Sequence, residues 1–327
     1  MKQVLTRLCF WLCVFALLTV APQGAFAQDY PTKPIRLLVP YSAGGASDIM
    51  ARTIAQQLAE NLGQQVVVEN RLGAGGDIAA DAVAKAEPNG YTLLFGATGP
   101  LAINPSLKGK LPYDPLKDFA PIGLVGIVPV VMVVPVSLPV YSIKDLIALA
   151  KSKPGQLNYG SAGVGGATHL TMEMFKSRAG IDIVHVPYKG NAAVVVDLIA
   201  GNVHAMLDGW ATTEPYVKSG KLRFLGVATS SRSPSNPQVP TIAESGFPGF
   251  EGAPWYGLLA PAGTPREIIN KLSTELAKVM TLPKIRERFV SLRMDPLTSS
   301  PEQFETYIRS ENIKWAKIVR DSGAKAD

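Results

Sequence analysis

The chain has 327 residues, 47% hydrophobic and 18% charged, with a formal net charge of +6. Its Lys and Arg residues are scattered rather than gathered on a stripe interleaved with aromatics, which argues against nucleic-acid binding and leaves a mild bias toward small anions. Both cysteines, Cys9 and Cys13, fall near the start; once that segment is removed, disulfides, thiolate metal sites and cysteine nucleophiles are excluded together.

Residues 1–27 read as an export leader. Lys2 and Arg7 form a basic start, Leu8 to Val20 an apolar run, and Ala25-Phe26-Ala27 a small-x-small cleavage signal, so the processed chain is expected to begin near Gln28. The apolar run is short of the roughly 20 residues that span a bilayer. Phe10-Trp11-Leu12 before Cys13 lacks the small residues of a lipidation site. Losing Lys2 and Arg7 takes the charge from +6 to +4. The remainder, about 300 residues, exceeds what one core usually organises, so two lobes are expected.

Short β-branched or apolar runs then alternate with helical patterns: Ile35 to Val39, Asp48 to Leu62, Val66 to Glu69, Ile78 to Ala86 and Tyr91 to Phe95. This is the βαβ rhythm of a parallel sheet. The rhythm returns at Leu157 to Tyr159, Thr168 to Arg178, Ile183 to Val186, Ala192 to Ala200 and Val203 to Leu207, predicting a second α/β lobe. Between the two series, Ile122 to Val134 reads as an extended segment passing from one lobe to the other, with a return near Leu222 to Thr229 or just after. Gly257 to Pro261 predicts a buried strand. Pro265 to Met280 predicts a helix capped by Thr264, and Pro301 to Val319 an amphipathic helix packing back on the first lobe. The expected lobes are therefore 28–127 with 251–327, and 128–250.

Two segments share one design, a strand running into a Gly- and Ser-rich turn from which a helix starts at once: Pro40 to Asp48 and Tyr159 to His169. Glycine lets backbone approach a ligand, and the unpaired first amides of a helix favour an anion. One such turn per lobe suggests two jaws on one carboxylate, with Tyr41, Ser42, Gly45, Ala46 and Ser47 on the first and Ser161, Gly165, Ala167, Thr168 and His169 on the second. Ser42, Ser47, Ser161 and Thr168 either bond the ligand or cap helices. Asp48 either meets a donor on the ligand or pairs with Arg52 four residues on. His169, just inside a helix, is read more simply as a packed or capping histidine than as a ligand contact. Gly73 to Asp77 is a third helix-start turn, read mainly as packing. Thr98 follows the strand ending at Phe95, where open α/β sheets place ligands. Asp208 is placed similarly, and Trp210 either stacks on a ligand or fills the core. Neither turn carries a nucleotide fingerprint, no Gly-x-Ser-x-Gly surrounds a serine, and the three histidines lack metal-site spacing. No cofactor, metal or catalytic residue is expected. An exported hydrolase using Ser161 and His169 is the enzyme alternative.

Pro40-Tyr41 with Gly44-Gly45 and Asp48, Val68-Glu69-Asn70-Arg71, Pro88-Asn89-Gly90-Tyr91, Asn158-Tyr159-Gly160-Ser161, Pro187-Tyr188-Lys189-Gly190 and Pro261-Ala262-Gly263-Thr264-Pro265 occur in order along the chain. In these words it resembles the solute-binding proteins of tripartite tricarboxylate transporters, the Bug family. The resemblance implies a periplasmic Venus-flytrap protein of type II connectivity, each lobe a mixed sheet flanked by helices, holding a carboxylate by backbone amides from the two turns. It implies a large and a small membrane subunit as partners, no catalysis and a monomeric carrier, with a ligand-presenting sensor subunit as the alternative role. Leu72, Asp77 and Ala193-Val194 depart from the usual family words and read as scaffold changes.

Overall fold

The computed structural model describes residues 30–234 and 236–325; the expected leader and its cleavage site lie outside them. The chain divides into two compact units, Met1–Thr32, of which only Tyr30, Pro31 and Thr32 are described, and Lys33–Asp327. The larger unit is a two-lobed α/β structure built on two sheets.

The first sheet contains β1 (Ile35–Val39), β2 (Val66–Asn70), β3 (Thr92–Ala97), β4 (Phe119–Ile127), β10 (Trp255–Pro261) and β11 (Asp295–Pro296), in the order β11-β4-β10-β3-β1-β2. The second contains β5 (Val130–Pro135), β6 (Asn158–Ser161), β7 (Val184–Pro187), β8 (Ala205–Gly209) and β9 (Leu222–Val227), in the order β7-β6-β8-β5-β9. Within each sheet the βαβ strands pair in parallel, while β10 runs antiparallel to β3 and β4, and β5 antiparallel to β8 and β9. These reversed strands are the ones that arrive from the other lobe. Each starts beside the carboxyl ends of its neighbours, Trp255 opposite Ile127 and Val130 opposite Gly209. Both sheets therefore turn their carboxyl edges toward the crossings, where open α/β sheets bind ligands.

The helices are α1 (Ala46–Leu62), α2 (Asp77–Ala84), α3 (Asn104–Leu107), α4 (Ile143–Ser152), α5 (Ala167–Ala179), α6 (Asn191–Ala200), α7 (Trp210–Lys218), α8 (Arg266–Thr281), α9 (Pro283–Ser291) and α10 (Pro301–Ser322). Helix α10 opens with Pro301 after a Ser300–Gln303 capping box and packs on β4, α3 and α5, so it touches elements of both lobes. No helix among the described residues is long and apolar enough to cross a membrane.

The apolar stretch Ile122 to Val134 resolves into two strands of different sheets, with Val128 and Pro129 as the crossing between them. The return crossing is tied to it: Val128 N donates to Pro254 O at 2.9 Å, and Gly252 N to Ala228 O at 3.0 Å. Strand β5 is buried on both faces, with the period of two of a central strand. Met132 and Val134 join a core cluster that also holds Leu38, Leu94, Phe175 and Trp255, whereas Val131 and Val133 join a second cluster with Val194, Leu198 and Trp210.

Two local expectations are corrected. Thr264 does not cap α8: its hydroxyl donates to Pro261 O at 2.7 Å and closes the preceding turn, and Pro265 stands at the cap position. Helices α3, α4, α7 and α9 escaped the sequence reading; α7 carries an internal Pro215.

Candidate functional site

The first turn joins β1 to α1. Gly44 takes φ +80, a left-handed conformation that favours glycine, whereas Gly45 has φ −77 and an added Cβ would meet only Ser42 O at 3.4 Å. Neither backbone shape nor an intramolecular clash therefore requires glycine at position 45. Asp48 is 3% exposed and accepts from Gly44 N at 2.9 Å, Arg52 Nε at 3.0 Å and Asn70 Nδ2 at 2.9 Å. Burial alone would raise its carboxyl, yet these hydrogen bonds outweigh that and hold it below the ordinary carboxylate range. Of the two readings of Asp48, the geometry favours the scaffold one: it pins the turn to α1 and β2. Ser42 is exposed, Gly45 and Ala46 are half-buried, and the Ser47 Oγ is buried with no hydrogen-bond partner. Ile49 N to Gly45 O is the first bond of the helix, so the amides of Ala46, Ser47 and Asp48 have no acceptor within it.

The second turn joins β6 to α5, with Gly163 at φ +146 and Gly165 at φ +77. Gly165 N donates to His169 Nδ1 at 3.1 Å, so that amide is spent internally and His169 carries its proton on Nε2. The amides of Ala167, Thr168 and His169 precede the first helical bond, Leu170 N to Gly166 O. Beneath the turn, Ser161 Oγ shares a 2.7 Å hydrogen bond with His185 Nε2, and the His185 ring lies 4.0 Å from that of His169 and 4.8 Å from Tyr159. The two histidines stand 16 residues apart in sequence and meet because β6 and β7 pair with Tyr159 opposite His185. Sequence spacing gave no sign that these two rings would pack together. Among the described residues, no group of three or more His, Cys, Asp or Glu side chains is arranged to hold a metal.

Burial and the neighbouring His169 push His185 down to about 4, and burial lowers His169. Stability linked to these rings is complete above the ordinary histidine value of 6.5 and is lost as pH falls toward 4, because the unfolded chain takes up protons that the folded pair refuses. Asp208 opposes them. Burial raises its carboxyl to about 6 despite bonds from Asn191, Gly209 N and Thr212, so the folded state gains relative stability as pH falls from about 6 toward 3.8. Denaturant titrations between pH 7 and pH 4.5 are expected to show His185→Gln losing less stability on acidification than the parent, by roughly 1–2 kcal/mol after discounting for the ring's partial exposure. Asp208→Asn should lose more than the parent. Parallel curves for all three proteins would remove the histidine account.

Between the two lobes lies a cavity of about 440 Å³. Four of the expected site residues line it, Tyr41, Thr98, Gly165 and Ala167. Thr98 is 2% exposed and its Oγ1 accepts from Trp255 N at 2.7 Å, which fastens β3 to the start of β10. Ser42, Gly45, Ala46, Ser47 and Asp48 on the first turn, and Ser161, Thr168 and His169 on the second, flank the cavity residues in sequence without lining it. Asp208 closes the carboxyl end of β8, within lobe-internal hydrogen bonds. Trp210 heads α7, is 1% exposed and packs on Phe224 with its Nε1 unpartnered; of its two readings, the core one holds. The indole packs on one face of the second sheet with Val131, Val133 and Phe224.

Of the other lining residues, Ala74, Gly75, Ala97, Gly99, Val164 and Gly166 lie in turns the sequence singles out, whereas Ile103, Asn104, Leu107, Lys108, Pro254 and Tyr256 went unassigned. Gly99 has a readable reason after the fact, since an added Cβ would fall 2.6 Å from the Tyr41 hydroxyl. Asp77 organises one end of the cavity, accepting from Asn104 Nδ2, Tyr113 OH and Lys108 Nζ, each at 2.7 Å. Position 77 is thus scaffold, as its departure from the family words suggested.

Residues 50–324 match the family described as Tripartite tricarboxylate transporter family receptor. Protein BugT of Bordetella pertussis (strain Tohama I) is 38% identical over 322 residues, 98% of this chain and 99% of that one. Among solved structures, R. palustris Rpa4515 with adipate superposes with a TM-score of 0.77 at 38% identity, covering 90% of this chain and 99% of its own. MatC from Rhodopseudomonas palustris with bound malate gives 0.72 at 32% identity, covering 89% and 100%.

Proposed function

Because the chain belongs to the tripartite tricarboxylate transporter receptor family, whose members are solute-binding proteins, we propose that it captures a small carboxylate in the periplasm and delivers it to a large and a small membrane subunit. The observation that carries the reading is the cavity itself. It lies where the carboxyl edges of two sheets meet, and the first turn of α5 stands on its wall at Gly166 and Ala167. Amides of that turn suit an anion by their unpaired donors and by the positive end of the helix dipole, and the Ala46 and Ser47 amides, which do not line the cavity, join them only if closure brings the facing turn forward. The relatives solved with adipate and malate support a carboxylate.

In this mechanism the bodies that move are 28–127 with 251–327, and 128–250, hinged on the paired crossings at Val128 and Pro254. A ligand touching both turns favours the closed arrangement by its differential affinity for it. Charge-assisted hydrogen bonds of about 1.5–3 kcal/mol each, less the cost of ordering, suffice for micromolar binding. Against the hydrolase alternative, Ser161 is 2% exposed and bonds His185 rather than His169, whose Nδ1 accepts from Gly165 N.

A thermal-shift series tests the reading on purified protein freed of carried-over ligand by unfolding and refolding. Against aliphatic, aromatic and amino-acid carboxylates, one class is expected to stabilise the fold by about 2.7 kcal/mol at a hundredfold excess over its Kd, a rise of a few degrees. A flat response from folded protein would sink the carboxylate assignment. Capture of membrane subunits by the liganded form separates delivery to a transporter from presentation to a sensor.

A further inference from the structure

Among the residues that line the interlobe cavity, Lys108 carries the one charged side chain. It follows α3 and is held in place: Nζ donates to Ala74 O at 2.6 Å and to Asp77 Oδ2 at 2.7 Å. Asp77 is in turn fixed by Asn104 and Tyr113, so the ammonium has a firm seat although its side chain remains 25% exposed. An ammonium has three N–H donors, and the two bonds leave one. Gly75, on the cavity wall beside it, has φ +64, and a Cβ there would sit 3.2 Å from Asn104 Nδ2 and 3.6 Å from Lys108 Nζ. Glycine at this position keeps both polar heads uncovered on the cavity side.

We propose that Lys108 is the specificity-determining residue of the cavity, receiving a second acceptor group at the far end of a carboxylate whose first carboxylate meets the amides of α5. This rests on the carboxylate-binding reading and narrows it to dicarboxylates and other acids with a distal oxygen acceptor. The argument is one of unpaired donors. An apolar tail laid over Lys108 strips water from an N–H that then bonds nothing, whereas a distal carboxylate takes that N–H with a charge-assisted bond. A site built to bond a group discriminates strongly against the analogue that lacks it. Asp77 neutralises Lys108, so the distal group is recognised by the remaining N–H donor rather than by net charge, and the Asp77 oxygens, divided among Lys108, Asn104 and Tyr113, leave that N–H to the cavity.

Calorimetry with a chain-length series of α,ω-dicarboxylates and the monocarboxylates of matching length tests it, on the parent protein, Lys108→Met and Lys108→Arg. The parent is expected to bind its best dicarboxylate at least roughly 30-fold more tightly than the matched monocarboxylate. Lys108→Met should remove most of that ratio by weakening the dicarboxylate, with the monocarboxylate changed by less than about threefold, and Lys108→Arg should keep part of it. If both ligands weaken together in Lys108→Met, Lys108 only braces the Ala74–Gly76 turn and the proposal falls. It falls equally if the ratio persists without the lysine. A parent protein that binds no carboxylate of either series removes the underlying reading, and this one with it.

Discussion

Replacing Gly165 with valine is expected to abolish carboxylate binding while the chain still folds. Gly165 faces Leu107 of the other lobe, and an added Cβ would lie 2.4 Å from Leu107 Cδ2. Its φ of +77 also belongs to a region that a β-branched residue occupies only with strain, costing about 1–2 kcal/mol. Folding tolerates that loss; closure of the cavity does not, because the wedge stands where the lobes touch and displaces the first turn of α5. Losing two charge-assisted bonds of about 1.5–3 kcal/mol each weakens binding by at least roughly 100-fold. Titration calorimetry measures the effect, and circular dichroism reports the fold. Leu107→Ala in a Gly165→Ala background separates the causes, since it restores room without relieving the backbone. Recovery of affinity there identifies a steric wedge, and parental affinity in Gly165→Val would discard the closing contact altogether.

The largest effect on stability is expected at Glu311. This carboxylate is 3% exposed on α10 and accepts from the indole Nε1 of Trp255 at 2.9 Å and of Trp315 at 2.8 Å, with Lys314 as its ion-pair partner. Trp255 starts β10 at the end of the return crossing, so Glu311 fastens the carboxyl-terminal helix to the strand that enters the first sheet. Glu311→Ala leaves two buried indole N–H groups and a cation without their acceptor, costing about 3–5 kcal/mol. For a chain of this size that corresponds to a fall in Tm of roughly 6–10 °C. Glu311→Gln keeps an acceptor oxygen and is expected to retain more than half of the lost stability. Equal destabilisation by the two variants would assign the effect to charge rather than to the orphaned indoles.

Much of the secondary structure is legible residue by residue. Ile35–Val39 is a strand with the expected bounds, and the helix expected over Asp48 to Leu62 begins two residues earlier at Ala46. Parallel strands buried on both faces read as continuous apolar runs, and the turns between them read as glycine, so local composition and period suffice. The stretch Ile122 to Val134 shows the limit. Its apolar character and Pro129 announce a buried segment that passes between lobes, yet nothing in it says which strands Ile127 and Val130 pair with, Trp255 in one sheet and Gly209 in the other.

The candidate site divides in the same way. The two Gly- and Ser-rich turns were visible because a helix start with small residues before it is a local pattern. Lys108, Asn104, Pro254 and Tyr256 were not, because they reach the cavity through α3 and the return crossing. Asp48 and Trp210 were visible as residues but ambiguous in role. Arg52, Asn70 and the Gly44 amide favour the scaffold role of the first, and Phe224 with the β5 valines favours the core role of the second.

Order along the chain therefore determined that this protein is two-lobed α/β, where most of its longer helices lie, and that each lobe carries a Gly- and Ser-rich turn at a helix start. Only the tertiary structure decided that His185 rather than His169 meets Ser161, that Asp77 seats Lys108 on the cavity wall, and that Glu311 is a core residue. The reason is physical: periodicity within a segment reports which face is buried, whereas the partner on that face is chosen by strand pairing and packing between residues far apart in sequence.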